Sequence, residues 1–286
     1  MKGLDGKTER KAAVGSAVPE VVHSKRLFIQ RLFSTIAARY DWFNRLASCG
    51  LDQRWRKILV RTAGLQPGMR ILDVCAGTGD LTLLCARQIA EGFNIPGDCG
   101  LRAVTSGQMQ RPLGSTTIVG LDMNAQMLAQ AQRKQPRNLS VGWLCGDALA
   151  LPFAQGSFDR VMIGFSTRNL ANLMAGLREM LRVLKPGGEL LILETGRPSH
   201  PLLRTAYWVF LFTGARLIGW LLTGRCWPFT YLAQSVRQFL TPWQFLDCLG
   251  QCQTQARYVA LSGGLASLYI ATKLPMGDLP QQPADQ

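Results

Sequence analysis

The middle of the chain alternates between two spacings of hydrophobic residues. Short apolar runs of strand type are separated by stretches in which apolar residues recur every three or four positions, the spacing of a helix packed on one face. Parallel strands joined by helices produce this alternation, so it predicts a doubly wound α/β sheet. The predicted strands are residues 69–75, 117–121, 139–144, 160–165 and 189–194, and the helices between them are 80–90, 124–134 and 173–184.

Further elements flank this region. Helical spacing predicts two helices before the first strand, and a Thr-Pro start predicts another near the end of the chain. The two runs around Ser262-Gly263-Gly264 predict a hairpin at the sheet edge, and Lys185-Pro186-Gly187-Gly188 predicts a turn before the fifth strand. The flanking helices are residues 24–39, 52–63 and 241–249, and the hairpin strands are 258–261 and 265–272.

Three kinds of segment interrupt the alternation. Residues 1–23 and 274–286 are polar and weakly patterned, so we expect tails around a single domain of residues 24–273. Residues 91–116 are rich in glycine without periodicity and predict an inserted loop. Residues 207–222 (YWVFLFTGARLIGWLL) are apolar but interrupted by Arg216, and are shorter than the roughly 20 residues of a bilayer span.

Composition narrows the picture only in part. The formal net charge of +14 suits nucleic acid, an anionic membrane surface or anionic substrates, and does not choose among them. Eight cysteines are scattered along the chain, without the spacing of a disulfide framework or a metal site. We therefore expect reduced thiols, a cytoplasmic protein and no metal. The N-terminal residues also lack the apolar run of a secretory signal.

The first predicted strand runs into a glycine turn, RILDVCAGTGDL at residues 70–81. Gly77 and Gly79 let the backbone approach a ligand closely, and Gly79 leads into a helix N-terminus. A dinucleotide fingerprint has a third glycine where Thr82 stands here. The turn therefore argues against the pyrophosphate of a dinucleotide.

Two acidic residues follow the next two strands. Asp122 in VGLDMN can accept hydrogen bonds from both ribose hydroxyls, and Asp147 in CGDALALPF can accept one from an adenine amino group. In a doubly wound sheet, these positions meet where the strand order reverses. A sulfonium ligand needs no phosphate cradle, so the turn and both acids favour S-adenosylmethionine over NAD.

Several stretches resemble known methyltransferases. LDVCAGTGD, LDMN, GDALALPF and RVLKPGGEL resemble class I methyltransferases in general. IAARYDWFNRLASCGLDQRWR, GFSTRNLAN, LILETGRP, YLAQSVRQFLTPWQFLDCLG and ALSGGLASLYIATK resemble one branch, the ubiquinone/menaquinone biosynthesis C-methyltransferases. The resemblance covers about residues 27–273 without 91–116. It implies a Rossmann-like class I methyltransferase fold, with a mostly parallel seven-stranded sheet and a C-terminal antiparallel hairpin.

The resemblance also implies an activity and its residues. The activity is transfer of a methyl group from S-adenosyl-L-methionine to a ring carbon of a polyprenylated quinol. The family often has serine where Gly164 stands, so a side-chain role is not expected there. The implied cofactor-binding residues are Asp73, Gly77, Thr78, Gly79, Asp122, Met123, Asp147, Ala148 and Gly164, and the candidate catalytic residues are Arg168, Tyr40 and Asn169.

The candidate catalytic residues have distinct expected roles. Arg168, just past the fourth strand, is expected to stabilise charge on the acceptor oxygen or to act through water, because arginine is a poor base. Tyr40 lies with Asp41 and Asn44 on the N-terminal helical segment, which is expected to cover the site and exclude water. The structural alternatives are an ion pair for Arg168 and a buried, satisfied ring for Tyr40.

The expected partners are a polyprenylated quinol and an anionic membrane. Residues 207–222 are expected to be an interfacial helix that admits the polyprenyl tail, with Arg204, Arg216 and Arg225 facing lipid phosphates. The protein would then be cytoplasmic and bound peripherally to the inner membrane. A homodimer or a quinone-synthesis complex stays open.

Alternative functions also remain open at this point. The favoured acceptor is the naphthoquinol demethylmenaquinol, and a benzoquinol of ubiquinone synthesis is the alternative. An RNA methyltransferase has the same fold, although GFSTRNL lacks the proline turn typical of base-amino methylation and no nucleic acid partner is expected. A non-catalytic donor-binding subunit is the third alternative.

Overall fold

The computed structural model describes residues 19–91 and 116–275. Its helices are α1 Pro19–Ile36, α2 Tyr40–Ala47, α3 Leu51–Thr62, α4 Asp80–Ala90, α5 Ala125–Lys134, α6 Leu173–Val183, α7 Pro201–Phe212, α8 Gly214–Thr223, α9 Trp227–Gln238 and α10 Pro242–Gly250. Its strands are β1 Arg70–Val74, β2 Thr117–Asp122, β3 Gly142–Cys145, β4 Phe158–Gly164, β5 Leu184–Thr195, β6 Thr254–Leu261 and β7 Ala266–Lys273.

The described strands form one seven-stranded sheet in the order β3-β2-β1-β4-β5-β7-β6. The first five strands are parallel, and β7 runs antiparallel to both of its neighbours, β5 and β6. The predicted α/β fold with a C-terminal hairpin is confirmed. From β1 the chain continues to β2 and β3 on one side and then returns to β4 on the other side of β1. The strand order therefore reverses at β1, and the carboxyl ends of these strands border one crevice.

Both faces of the sheet are covered by helices because the strands are apolar on both sides. In β1, Leu72 and Val74 pack toward α6 and α10, whereas Ile71 packs toward α3 and α4. These residues are fully buried. Alternation of side chains along a strand thus serves two cores at once.

A third apolar cluster lies apart from the two sheet faces. It joins α1, α2, α7, α8 and α9, which we call the cap helices, through residues such as Leu32, Phe43, Phe229 and Ala233. Phe43 and Phe229 contact each other with ring centroids 4.3 Å apart. The cap is therefore held by its own small core.

Most predicted strand bounds differ from the structure by a few residues, and α9 was not predicted. Three differences are larger. Helix α1 begins at Pro19, before the predicted start at residue 24, and a 3-10 turn at Ala37–Arg39 links it to α2. The predicted turn at residues 185–188 lies inside β5, opposite Asp159 alone, and is a bulge. The predicted apolar segment 207–222 divides at Thr213 into α7 and α8. Residues 1–18 and 276–286 of the predicted tails and residues 92–115 of the predicted loop lie outside the described residues.

Candidate active site

The turn between β1 and α4 is built from left-handed backbone. Cys75, Gly77 and Gly79 have φ of 57°, 56° and 80°, so three of five consecutive residues bend the chain sharply toward α4. The N–H of Gly77 donates to Asp122 Oδ2 at 2.8 Å, which joins the turn to the end of β2. A Cβ on Gly79 would lie 2.5 Å from the Trp143 ring. Close packing as well as the backbone angle therefore requires glycine at this position.

A cavity of about 990 Å³, counting its mouth, lies beyond the carboxyl ends of β1, β2 and β3. Its charged lining consists of four carboxylates and two guanidinium groups. Each guanidinium is already ion-paired, Arg26 with Asp147 at 2.6 Å and Arg56 with Asp52 at 2.5 Å. We call this space the acidic cavity. The lining carboxylates are Asp73, Asp80, Asp122 and Asp147.

Asp73 and Asp122 are the most buried carboxylates of the acidic cavity, at 1% and 9% exposure. Asp73 accepts a hydrogen bond from Thr82 Oγ1 at 2.5 Å, and Asp122 accepts from the N–H groups of Gly77 and Asn124, both at 2.8 Å. Loss of water raises the pKa of Asp73 to about 7, and burial also raises the pKa of Asp122. A cation in the cavity would stabilise both ionised forms.

Helices α1 and α2 cover the acidic cavity, and both are hydrogen-bonded to residues on the sheet side of the cavity. Asn124, after β2, donates from Nδ2 to the carbonyl of Gln30 at 3.0 Å. Thr78, in the glycine turn, donates to Asp41 Oδ1 at 2.6 Å, and Lys134 contacts Asp41 Oδ2 at 2.7 Å. These polar contacts hold the N-terminal helices, which were predicted to cover the site, against the sheet side of the acidic cavity.

A second cavity, of about 1490 Å³ with its mouth, adjoins the acidic cavity. It lies among the cap helices and α3, and its lining is mainly apolar, so we call it the apolar cavity. The apolar residues around it include Leu32, Ile36, Phe43, Trp55, Leu211 and Phe229. Four residues line both cavities and form a shared wall: Phe33, Tyr40, Arg56 and Asn169.

The shared wall brings two of the candidate catalytic residues together. Asn169 ends the 3-10 turn Thr167–Asn169 after β4, and its Oδ1 accepts a hydrogen bond from the Tyr231 hydroxyl at 3.2 Å. Burial raises the pKa of Tyr40, while a hydrogen bond with Asn44 acts in the opposite direction. Tyr40 therefore stays protonated at neutral pH.

Arg168 lines the apolar cavity and is not part of the acidic cavity's lining. Its side chain is 7% exposed and forms an ion pair with Glu194 of β5, which is 1% exposed. Nη1 also donates to the carbonyl of Phe165 at 2.8 Å. The guanidinium thus has a buried counter-ion, which is the structural alternative considered for this residue. Its Nε has no hydrogen-bond partner among the described residues.

The family comparison decides the protein's class. A family model described as "ubiE/COQ5 methyltransferase family" matches residues 20–273. The chain belongs to this family.

Named relatives of this methyltransferase align over most of their lengths. The demethylmenaquinone methyltransferase of Desulfitobacterium hafniense is 34% identical, covering 87% of this chain and 91% of the relative. That of Thermus thermophilus is 36% identical, covering 85% and 100%. A ubiquinone/menaquinone biosynthesis C-methyltransferase UbiE of Hahella chejuensis is 32% identical, covering 88% and 94%.

The fold is similar to that of a solved methyltransferase. The crystal structure of a putative S-adenosyl-L-methionine-dependent methyltransferase from Methanococcus maripaludis matches with a TM-score of 0.53 at 15% identity, covering 85% of this chain and 94% of that one. At this identity the likeness concerns the fold. The fold and the family together imply that the enzyme uses S-adenosylmethionine.

Ten of the twelve sequence-predicted site residues of this methyltransferase line the acidic cavity. The two exceptions are Gly79, which packs against Trp143, and Arg168, which faces the apolar cavity. The roles assigned to the ten remain predictions. They are Tyr40, Asp73, Gly77, Thr78, Asp122, Met123, Asp147, Ala148, Gly164 and Asn169.

Sequence reasoning missed several residues of the site. The sequence does contain a pattern that indicates the Asp52–Arg56 ion pair, because opposite charges four residues apart on a helix are neighbours. It also contains one that indicates Asn124, since an asparagine before an apolar helical run is a typical N-cap. No local pattern indicates Arg26 or Tyr207. Arg26 pairs with Asp147 from a distant part of the chain, and Tyr207 lines the apolar cavity through the packing of the cap helices.

Proposed function

We propose that this protein transfers a methyl group from S-adenosylmethionine to a ring carbon of a polyprenylated quinol, and that demethylmenaquinol is its substrate. The observation that carries the proposal is the pair of adjoining cavities, one acidic and one apolar, with a shared wall. Family membership supports methyl transfer. The names of two similar relatives support the naphthoquinol acceptor.

The acidic cavity suits a cationic nucleoside better than a dinucleotide. Asp122 would accept hydrogen bonds from the ribose hydroxyls, and Asp147 would accept one from the adenine amino group once it shares or releases Arg26. The four carboxylates of the lining outnumber its two arginines, so the cavity disfavours the negative charge of a pyrophosphate. When bound, S-adenosylmethionine supplies a methyl group on a sulfonium, which is a good leaving group. Asp73 adds a buried carboxylate that favours positive charge.

The shared wall is where donor and acceptor would meet. Phe33 and Tyr40, from the covering helices, would exclude water and hold the ring against the donor cavity. Asn169, in the 3-10 turn after β4, is held by its hydrogen bond with Tyr231 and would orient the acceptor from that turn. In the apolar cavity, the Arg168–Glu194 pair supplies a polar group near which negative charge on a ring oxygen can be stabilised.

A methyl-transfer assay tests this proposal. The purified protein is mixed with methyl-labelled S-adenosylmethionine and short-tailed demethylmenaquinol, the matching benzoquinol, or RNA. We expect label in the naphthoquinol. Label in the benzoquinol alone would change the substrate, and label in RNA would overturn the proposal. Donor binding without transfer to any quinol would indicate a non-catalytic subunit and also overturn it.

We further propose that α7 and α8 lie on an anionic membrane at the cytoplasmic face. Together they span 23 residues with a mean hydropathy of 1.3 over an 18-residue window, so by length and composition alone they could cross a bilayer, which corrects the length argument made from residues 207–222. The break at Thr213 and the exposed Arg204 and Arg216 favour an interfacial position instead. Their large exposed apolar residues are Leu202, Leu203, Val209, Leu217, Trp220 and Leu221.

Vesicle sedimentation tests the membrane proposal. Binding to phosphatidylglycerol vesicles is expected to fall steeply as salt rises, since screening weakens the attraction of arginines to lipid phosphates. Trp220→Glu should reduce binding, whereas Trp243→Glu, at an exposed tryptophan on α10, should not. Equal binding of both variants, or equal binding to phosphatidylcholine, would contradict the proposed surface.

A further inference from the structure

Two buried polar atoms of the apolar cavity lack hydrogen-bond partners among the described residues. They are Nε of Arg168 and the hydroxyl oxygen of Tyr207, and both residues line this cavity. Proteins pair nearly all of their buried polar atoms, so an unpaired one requires an explanation. Because both belong to residues that line the same largely apolar cavity, they favour a ligand that brings polar atoms into it.

Among the tyrosines of the described lining, Tyr207 on α7 is the one whose hydroxyl is buried without a hydrogen-bond partner. The Tyr231 hydroxyl donates to Asn169. The Tyr207 ring packs against Trp208 with centroids 5.4 Å apart. The packing fixes the ring and leaves the hydroxyl available.

The protonation state of Tyr207 suits a donor. Burial raises the pKa of Tyr207, Arg168 lowers it, and Glu194 raises it. The hydroxyl therefore keeps its proton at neutral pH and can donate it. Arg168, the other described residue with an unpaired buried atom, lines the same cavity as Tyr207.

We propose that the Tyr207 hydroxyl and Arg168 Nε bind the ring oxygens of the quinol acceptor, and that Tyr207 determines where the ring lies relative to the donor. This inference rests on the proposed function. The polyprenyl tail has no polar atom to offer, whereas the head group has oxygens that can accept two hydrogen bonds. The apolar residues of the cavity then hold the tail, and these two donors orient the ring.

Tyr207→Phe is the direct test, because it removes the hydroxyl and keeps the ring that packs on Trp208. We expect KM for short-tailed demethylmenaquinol to rise about tenfold, the worth of one buried hydrogen bond. KM for S-adenosylmethionine should not change. The matched control is Tyr258→Phe on β6, which lines neither cavity and should behave as wild type.

A comparison of acceptors separates binding from a merely structural role. The two monomethyl ethers of demethylmenaquinol each carry a methyl group on one ring oxygen, which crowds a donor to that oxygen and weakens the oxygen as an acceptor. Wild-type enzyme should discriminate against one ether about tenfold more than Tyr207→Phe does, because the variant has lost the partner of that oxygen.

The outcomes distinguish this inference from the proposed function. If wild type methylates no quinol, the proposed function fails. If wild type methylates demethylmenaquinol but Tyr207→Phe keeps its KM and its discrimination, the inference alone is overturned. Equal use of both ethers and the free quinol by wild type would overturn it without any variant.

Discussion

The two cavities differ in how the chain builds them. The acidic cavity takes three of its four carboxylates, Asp73, Asp122 and Asp147, from residues at or just beyond the ends of β1, β2 and β3, and the fourth, Asp80, from the start of α4. The apolar cavity takes its lining from five cap helices, α3 and the segments after β4 and β5. The first is a product of sheet topology, and the second is a product of helix packing.

The different construction of the two cavities suits them to different ligands. A rigid sheet edge holds fixed polar groups for a ligand that does not vary within the methyltransferase fold. Helices that pack on one another through Phe43, Phe229 and their neighbours can change shape around a different acceptor without disturbing that edge. We therefore expect changes in one cavity to leave the binding properties of the other largely intact.

The largest expected effect is a loss of protein stability when Arg168, which lines the apolar cavity, is replaced. Arg168→Ala should lower the free energy of unfolding by about 3–5 kcal/mol, because Glu194 would remain buried without its counter-ion. Arg168→Lys keeps a cation at this position and should cost clearly less. Denaturant unfolding of both variants measures the difference. Equal and small losses of unfolding free energy in both variants would show that the Arg168–Glu194 ion pair does not stabilise the fold.

The next effect concerns binding in the acidic cavity. Asp122→Asn should weaken S-adenosylmethionine binding about 100-fold, because a neutral amide loses the charge-assisted hydrogen bonds of the carboxylate. Asp247→Asn, an exposed acid on α10, is the matched control. Calorimetry measures both affinities. An affinity of Asp122→Asn within threefold of wild type would remove Asp122 from the donor site.

A smaller effect follows from the pKa of Asp73, which is about 7 against an ordinary value of 3.8. The folded protein holds a proton that the unfolded chain releases between these values, so this residue makes stability fall as pH rises from about 4 to 7. A bound cation favours the ionised form. Donor affinity should therefore rise about tenfold between about pH 6 and pH 8.

Calorimetry in buffers of different ionisation heat checks the effect of Asp73. Wild type should release protons on binding the donor near pH 7. Asp73→Asn should abolish both this release and the pH dependence that it causes. If the donor affinity of wild type did not change with pH, the expected link between donor binding and the raised pKa of Asp73 would be wrong.

The smallest effect concerns the tail in the apolar cavity. Ala206→Trp would fill space beside α7 and should raise KM about fivefold for a long-tailed quinol, but little for a short-tailed one. The neighbouring Thr205→Trp, which does not line the cavity, is the control. Steady-state kinetics with both tails measures the difference. An equal rise with both tails would show that this space holds the ring.

Most of the sheet and of the acidic cavity was predictable from the sequence. Helix 80–90 was predicted with its observed bounds, and the hairpin around Ser262-Gly263-Gly264 was predicted in its observed place. The reason is that strand and helix periods are local, and residues after parallel strands meet wherever the fold brings strand ends together. The bulge at residues 185–188 was not predictable, because its pairing partner Asp159 belongs to another strand.

The sequence by itself determined the fold class, the family and the position of the acidic residues, because each depends on spacing within short segments. Only the tertiary structure decided that Arg168, which lines the apolar cavity, pairs with Glu194, that Arg26 pairs with Asp147, and that the Tyr207 hydroxyl is buried without a partner among the described residues. The two ion pairs join residues far apart in the chain, and the burial of Tyr207 depends on how the cap helices pack. No local pattern of the sequence encodes such contacts.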